Sequence, residues 1–246
     1  MRYEVSLAGR NALITGGARG IGAATAIQLA ARGATVHISD VLDCSPVEKE
    51  ILSNGGKATA HSLDVTDAVS CNQVVEDICY SEKKLDILIC NAGVCPVGKG
   101  INDAEQWQTV MNINLFGAQN CVSAVWDGMT QNTYGRIVLV SSMAFYQGGL
   151  IVGPEYSTSK AALIGLSRHL ARNGGKDGIN VNAVAPGIID TDMTATFNKP
   201  DVETIPVRRY GTAEDVAGPI SFLCGPESDY ITGSVINVTG GMVLAA

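Results

Sequence analysis

The stretch Asn11-Ala12-Leu13-Ile14-Thr15-Gly16-Gly17-Ala18-Arg19-Gly20-Ile21-Gly22 decides the fold. Its first five residues are a short, mostly apolar run that stops at Gly16, the pattern of a strand running into a turn. Residues 23–31 are Ala-rich and read as a helix, Gly33-Ala34 ends it, and Thr35-Val36-His37-Ile38-Ser39 is a second strand closed by Asp40. Strand, turn, helix and strand make one βαβ unit. Gly16, Gly20 and Gly22 let the backbone turn tightly and approach a ligand closely. The helix N-terminus beyond Arg19 and Ile21 then offers free N–H groups and a positive dipole end to a pyrophosphate. An acid about 20 residues on is the context that this dinucleotide-binding fingerprint requires, and Asp40 supplies it.

Asp40 also bears on which dinucleotide is held. A carboxylate at the end of the second strand accepts hydrogen bonds from ribose hydroxyls and repels a 2′-phosphate. Arg19 pulls the other way, because a guanidinium there could pair with that phosphate. A close like-charge contact costs more than a partly solvated Arg19 returns, so NAD is expected in preference to NADP.

Outward from this unit the alternation continues. Residues 45–54 read as helix, with Gly55-Gly56 as the stop, and 57–63 as strand leading into Asp64-Val65. A helix over 68–81 precedes a strand over 85–89 and the turn Cys90-Asn91-Ala92-Gly93. Residues 104–129 read as one long helical region, 135–142 as a strand, and 155–173 as a helix. A strand over 179–184 closes at Ala185-Pro186-Gly187, a helix covers 213–224, and a last strand over 234–238 precedes Gly240-Gly241. Such alternation predicts an α/β fold with a parallel sheet covered on both faces. No linker, repeat or low-complexity stretch interrupts it, so residues 1–246 read as one domain.

Within the 155–173 helix stands Tyr156-Ser157-Thr158-Ser159-Lys160. Tyr156 and Lys160 share one helix face. A free phenol titrates near ~10 and is a poor base at neutral pH. A fixed ammonium beside it favours phenolate and lowers that value. A tyrosine tuned in this way can take a proton from an alcohol or give one to a carbonyl. The spacing alone equally describes an ordinary Tyr and Lys on a helix.

Composition narrows the class. The 246 residues are 46% hydrophobic and 17% charged, with a formal net charge of -7 and no Lys/Arg run. That argues against nucleic acid or an anionic membrane as partner. Residues 1–10 contain an early Arg and Glu and no long apolar core, so no secretory leader is expected. No uncharged apolar stretch of about 20 residues exists, and a cytoplasmic protein is expected. The seven cysteines (Cys44, Cys71, Cys79, Cys90, Cys95, Cys121, Cys224) include no CxxC and read as scattered reduced thiols. His37, His61 and His169 are far apart and receive no ligand or catalytic role, and no metal is expected.

Taken together, the chain resembles the short-chain dehydrogenase/reductase family. The pieces that carry the resemblance are Thr15 to Gly22, Asp64-Val65, Asn91-Ala92-Gly93, Asn114, Ser142, Tyr156 to Lys160, Pro186-Gly187, the run from Gly211 to Ala217, and Tyr230 to Gly233. Any one could arise by chance; all of them in this order is specific. The resemblance implies a Rossmann fold with a seven-stranded parallel sheet ordered 3-2-1-4-5-6-7, in a homotetramer. It implies that Ser142 hydrogen-bonds the substrate oxygen, Tyr156 is the acid/base, and Lys160 holds the nicotinamide ribose and lowers the Tyr156 pKa. Asn114 would hold a water that connects Lys160 to solvent. Asp64 and Val65 would line the adenine. Asn91, Ala92 and Gly93 would let the ribose approach, and Pro186, Gly187, Ile189 and Thr191 would fix the carboxamide. Ser141 is a rival for Ser142 and Asn112 for Asn114. The second Ser of the family's pair aligns with Ser142, and Leu115 and Gly117 favour Asn114.

Three departures stand out. Cys90 replaces an Asn before Asn91-Ala92-Gly93, the loop from Met143 to Pro154 is one residue longer than usual, and Thr239 stands where an Asp often precedes the last Gly pair. The segment 188–210 is expected to cover the active site with Met193, Phe197, Ile205 and Pro206. Val94, Phe145, Tyr146 and Leu150 are candidates for the other walls. No cluster of Arg or Lys marks an anionic substrate, so the expected substrate is a small or medium, mostly apolar secondary alcohol or ketone. The alternatives are an NADPH-dependent 3-oxoacyl carrier-protein reductase, opposed by Asp40 and the acidic balance, and a dinucleotide-binding protein without turnover, opposed by the retained Tyr156 and Lys160.

Overall fold

The computed structural model describes residues 6–96, 101, 103–149 and 151–244. In chain order the elements are β1 (Asn11–Thr15), α1 (Gly20–Ala31), β2 (Thr35–Asp40), α2 (Ser45–Ser53), β3 (Lys57–Ser62), α3 (Ala68–Glu82) and β4 (Ile87–Cys90). Then come α4 (Ala104–Met111), α5 (Gly117–Gln131), β5 (Gly135–Val140), α6 (Ala144–Gln147), α7 (Pro154–Gly174), β6 (Ile179–Pro186), α8 (Ala213–Leu223) and β7 (Val235–Val238).

Seven strands pair in parallel in the order β3-β2-β1-β4-β5-β6-β7. The pleat sends alternate residues to opposite faces. Leu13, Leu88, Ile137, Leu139 and Val181 pack beneath α3, α5 and α7. Ala12, Ile14, Val36, Ile38, Ile87 and Ile89 pack beneath α1, α2 and α8. Both faces are covered, which is why Ile87-Leu88-Ile89 is apolar without a break. Each such Leu or Ile contributes roughly 1.5–3 kcal/mol by leaving water. The strand order reverses between β1 and β4, and the carboxyl ends there open the crevice in which such sheets bind ligands.

The helical region expected over 104–129 is interrupted. A π-turn spans Asn112–Phe116 between α4 and α5. Asn114 holds it in place: its Oδ1 accepts the Val94 N–H at 2.8 Å, and its Nδ2 donates to the Val94 carbonyl and the Ser159 hydroxyl, both at 3.0 Å. A side chain pinned from outside the helix has displaced the regular i→i−4 ladder. β5 ends at Val140, so Ser141 and Ser142 stand beyond the sheet, and the lengthened 143–154 segment holds the short helix α6 followed by Gly148 and Gly149 at positive φ. On the far edge, His37 of β2 is buried, with its Nδ1 3.0 Å from Nε2 of His61 on β3. Among the described residues no helix is long and apolar enough to cross a membrane.

Candidate active site

Two adjoining cavities occupy the crevice. The first, on the β1–β2 side, is lined by Gly16, Arg19, Gly20, Ile21, Asp40, Asp64, Val65, Asn91, Ala92, Gly93 and Thr191. The second, of about 260 Å³, is lined by Ser142, Tyr156, Lys160, Pro186, Gly187 and Ile189, and shares Ile21, Asn91, Gly93, Thr191 and Met193 with the first. Every candidate site residue except Gly22 and Asn114 lines one or the other.

The glycine turn works by absence of side chains. A Cβ on Gly16 would lie 2.8 Å from Ala92 Cα, and one on Gly22 would lie 2.1 Å from the Gly16 carbonyl oxygen. Asn91 locks the turn by donating its amide to the carbonyls of Thr15 at 3.0 Å and Gly16 at 2.8 Å. No side chain caps the N-terminus of α1, so its first N–H groups face the cleft without a protein acid to neutralise them. Asp40 Oδ2 accepts from the Ala18 N–H and Oδ1 from the Leu42 N–H, each at 3.1 Å, which fixes the carboxylate at the rim. Arg19 instead reaches across to Asp192 at 3.3 Å, and both side chains are exposed. Asp64 accepts from the N–H and hydroxyl of Thr66, while Val65 is buried beside it. An uncapped helix start, a side-chain-free turn and a fixed acid fit the pyrophosphate and ribose of a dinucleotide.

In the second cavity the two rival serines are placed differently. The Ser141 hydroxyl donates to the Lys160 carbonyl at 2.8 Å and is spent on α7. Ser142 accepts from the Ala144 N–H at 3.2 Å and hydrogen-bonds with Tyr156. Asn112 only accepts from Gln108, whereas Asn114 is buried. Both amide hydrogens of Asn114 are already used, so its side chain has no donor left for the expected water.

The expected effect of Lys160 on Tyr156 needs correction. Burial pushes the Tyr156 phenol above its ordinary value, the Cys95 thiol adds to that, and the Ser142 hydrogen bond pulls back. Lys160 is not a cause of the shift: its ammonium donates to the Val140 carbonyl at 2.8 Å. Burial in turn takes Lys160 from 10.5 down to about 8. With the ammonium turned to a sheet carbonyl, desolvation is the larger influence on the phenol.

The walls also differ from expectation. Met193 and Phe197 line the second cavity, joined by Met143, Ala144, Ile151, Val152 and Ile188. Phe145 packs into the core, and Tyr146 stacks on it with ring centres 3.8 Å apart. Val94 belongs to the neighbouring cleft, and Ile205 and Pro206 pack under Gly240 and Gly241. Leu150 lies outside the described residues. Other wall residues that the sequence did not name include Cys95 and Lys199. Neither lies in a motif; only the folded loops bring them to this cavity, and an isolated lysine carries no signal in the chain.

Residues 16–243 match the model of a protein family described as enoyl-(acyl carrier protein) reductase. A 3-oxoacyl-[acyl-carrier-protein] reductase from Synechocystis sp. is 38% identical over 97% of this chain and 99% of its own. A cyclohexanol dehydrogenase from Rhodococcus sp. is 36% identical over 98% of this chain and 99% of its own. Among solved structures, a protein from Beutenbergia cavernae described as an NAD(P)-dependent gluconate 5-dehydrogenase, with NADP bound at low occupancy, superposes with a TM-score of 0.91. It is 34% identical and covers 98% of this chain and 100% of its own.

Proposed function

Because the chain belongs to the short-chain dehydrogenase/reductase family of NAD(P)-dependent oxidoreductases, we propose that it interconverts a secondary alcohol and a ketone with NAD(H). One observation carries the reading: Ser142, Tyr156 and Lys160 line a cavity that opens through shared walls into a cleft fitted for a dinucleotide. A bound nicotinamide supplies the hydride acceptor or donor. Tyr156 takes the hydroxyl proton of the alcohol, or gives it back to the carbonyl oxygen. Burial favours the protonated phenol, the form that the reducing direction draws on. Ser142 donates a hydrogen bond to the same oxygen and stabilises its developing charge. Lys160 and Asn91 to Gly93 would hold the nicotinamide ribose, Asp64 and Val65 the adenine, and Pro186, Gly187, Ile189 and Thr191 the carboxamide. Asn114 acts by bracing Val94 and Ser159 around them.

NAD is preferred because Asp40 is fixed by two backbone N–H groups in the cleft, while Arg19 is exposed and already paired with Asp192. The second reading, an NADPH-dependent 3-oxoacyl carrier-protein reductase, is favoured by the Synechocystis relative. The same proposal carries a homotetramer acting in the cytoplasm on a small molecule, and sedimentation tests the assembly. A panel of alcohols and ketones assayed with both dinucleotides tests the function. NAD-dependent turnover of small ketones is expected. A strong NADPH preference with acyl carrier substrates moves the assignment to the second reading, and no turnover of any compound removes both.

A further inference from the structure

The substrate cavity is electropositive in an acidic protein. The chain carries 24 Asp and Glu against 17 Lys and Arg. Yet no carboxylate lines this cavity among the described residues, while two lysines do, Lys160 and Lys199. Lys160 is committed to Val140 and to the site beside Tyr156. Lys199 arrives separately, on the loop after β6, and its side chain is only 14% exposed. Its ammonium meets Asp190 at 2.6 Å, but Asp190 is 69% exposed and lies outside the cavity lining. The same ammonium lies 5.2 Å from the centre of the Tyr210 ring. Here the acid stays in water and the lysine is held against the cavity. An ammonium has three donors, and one is accounted for by Asp190. Asn198 adds an amide on the same loop, and Gln147 another from the end of α6. Away from Ser142, Tyr156 and the threonines the walls are largely apolar, with Met143, Ala144, Ile151, Val152, Met193 and Phe197.

On the oxidoreductase reading above, on which this rests, we propose that the substrate is a small hydroxy or oxo carboxylic acid whose carboxylate is received by Lys199 and Asn198, with its apolar carbons against the methionine and phenylalanine walls. A cavity lined by lysines and by no carboxylate concentrates an anion, which would share the Lys199 ammonium with Asp190. A single ammonium without an arginine fork suits a carboxylate rather than a phosphate, which is held best by bidentate guanidinium. The volume of about 260 Å³ lies at the small end for ligand pockets and favours a short acid.

The test compares a short oxo acid with its methyl ester, assayed on the full-length protein with NADH. The readout is the ratio of kcat/KM for acid over ester. In the native protein the ratio should exceed ten, and Lys199→Met should lower it by about 10- to 100-fold, chiefly through KM for the acid, as for loss of a charge-assisted hydrogen bond. Lys199→Arg should keep most of the ratio, and Asp190→Asn should hold or raise it by releasing the ammonium. Dinucleotide binding by each variant reports its fold. Should Lys199→Met fail to bind dinucleotide, the Lys199→Arg and Asp190→Asn ratios decide the matter, and a fall in both overturns the proposal. A native ratio near one, or a Lys199→Met variant with an unchanged ratio, also overturns it while leaving the oxidoreductase reading intact. Absence of turnover with acid and ester alike sinks that reading, and this one with it.

Discussion

Lys160 gives its ammonium to the carbonyl of Val140 at 2.8 Å, and its nitrogen stands 5.8 Å from the centre of the Tyr156 ring. The bond ties α7 to the carboxyl end of β5 and places a buried cation beside the phenol. The arrangement holds a charge where burial opposes it, which is how functional sites store strain against stability.

Removing that charge should therefore stabilise the fold. Lys160 titrates at about 8 in the folded chain against 10.5 unfolded. Between those values the unfolded chain binds more protons, so stability rises with pH through that window, and the cost is fully present below pH 8. The shift amounts to ~3 kcal/mol, offset in part by the lost hydrogen bond to Val140. Lys160→Met is expected to be about 1–3 kcal/mol more stable at pH 7, with the gain shrinking by pH 10. Urea unfolding at both pH values reads this directly; a variant less stable than the native chain at pH 7 would count against it.

Tyr156→Phe removes the proton handle and little else. Turnover should fall by roughly 10²–10⁴-fold or more. NAD affinity, measured by fluorescence quenching, should stay within about twofold, since in the proposed reaction the phenol oxygen serves the substrate. Comparable losses in binding and turnover would mean that Tyr156 shapes the cleft instead.

Asp40→Ala should weaken NAD binding about tenfold or more, the scale of a charged hydrogen bond. It should also relax discrimination against NADP, because the repelling carboxylate is gone. Affinities for both dinucleotides before and after the change give the result. An unaltered NAD/NADP ratio would assign selectivity to Arg19.

Acid should loosen the β2–β3 edge. Burial and the facing His61 take His37 from 6.5 to about 4, and its Nε2 is buried without a partner. The unfolded chain gains this proton first, so stability is whole above pH 6.5 and is lost as pH falls toward 4. The total is about 3 kcal/mol. Thermal melts from pH 7 to 4 should show that slope, and His37→Asn should flatten it. The slope surviving in the variant would place the acid sensitivity elsewhere.

Two glycines make opposite predictions. A Cβ on Gly22 meets the Gly16 carbonyl oxygen at 2.1 Å and Asn91 Nδ2 at 2.6 Å, so Gly22→Ala should destabilise by several kcal/mol and abolish dinucleotide binding. A Cβ on Gly218, within α8, meets nothing within 4 Å, so Gly218→Ala should stabilise by about 1 kcal/mol. Paired melting curves check both.

The sequence by itself determined the strands, their parallel alternation with helices and the glycine turn. These follow from local rules: apolar runs bounded by glycines mark the strands, and Gly16 to Gly22 allows one backbone path into α1; the order of the strands came only with the family resemblance. It also named Tyr156 and Lys160, because a helix puts those positions on one face. Tertiary structure alone decided what the named residues do to one another. Lys160 donates to Val140, a partner that only the packing of α7 against β5 supplies. Ser141 and Ser142 are equivalent in the chain, and they part because strand β5 ends one residue before them and turns one hydroxyl into α7. The break in the 104–129 helix comes from Asn114 reaching Val94 and Ser159 across the fold. Lys199 entered the cavity by the same route: it is remote in the chain and without a motif, and only the folding of the loop after β6 brings it to the cavity wall. Contacts between distant segments depend on the geometry of the whole sheet, which no local pattern of residues encodes.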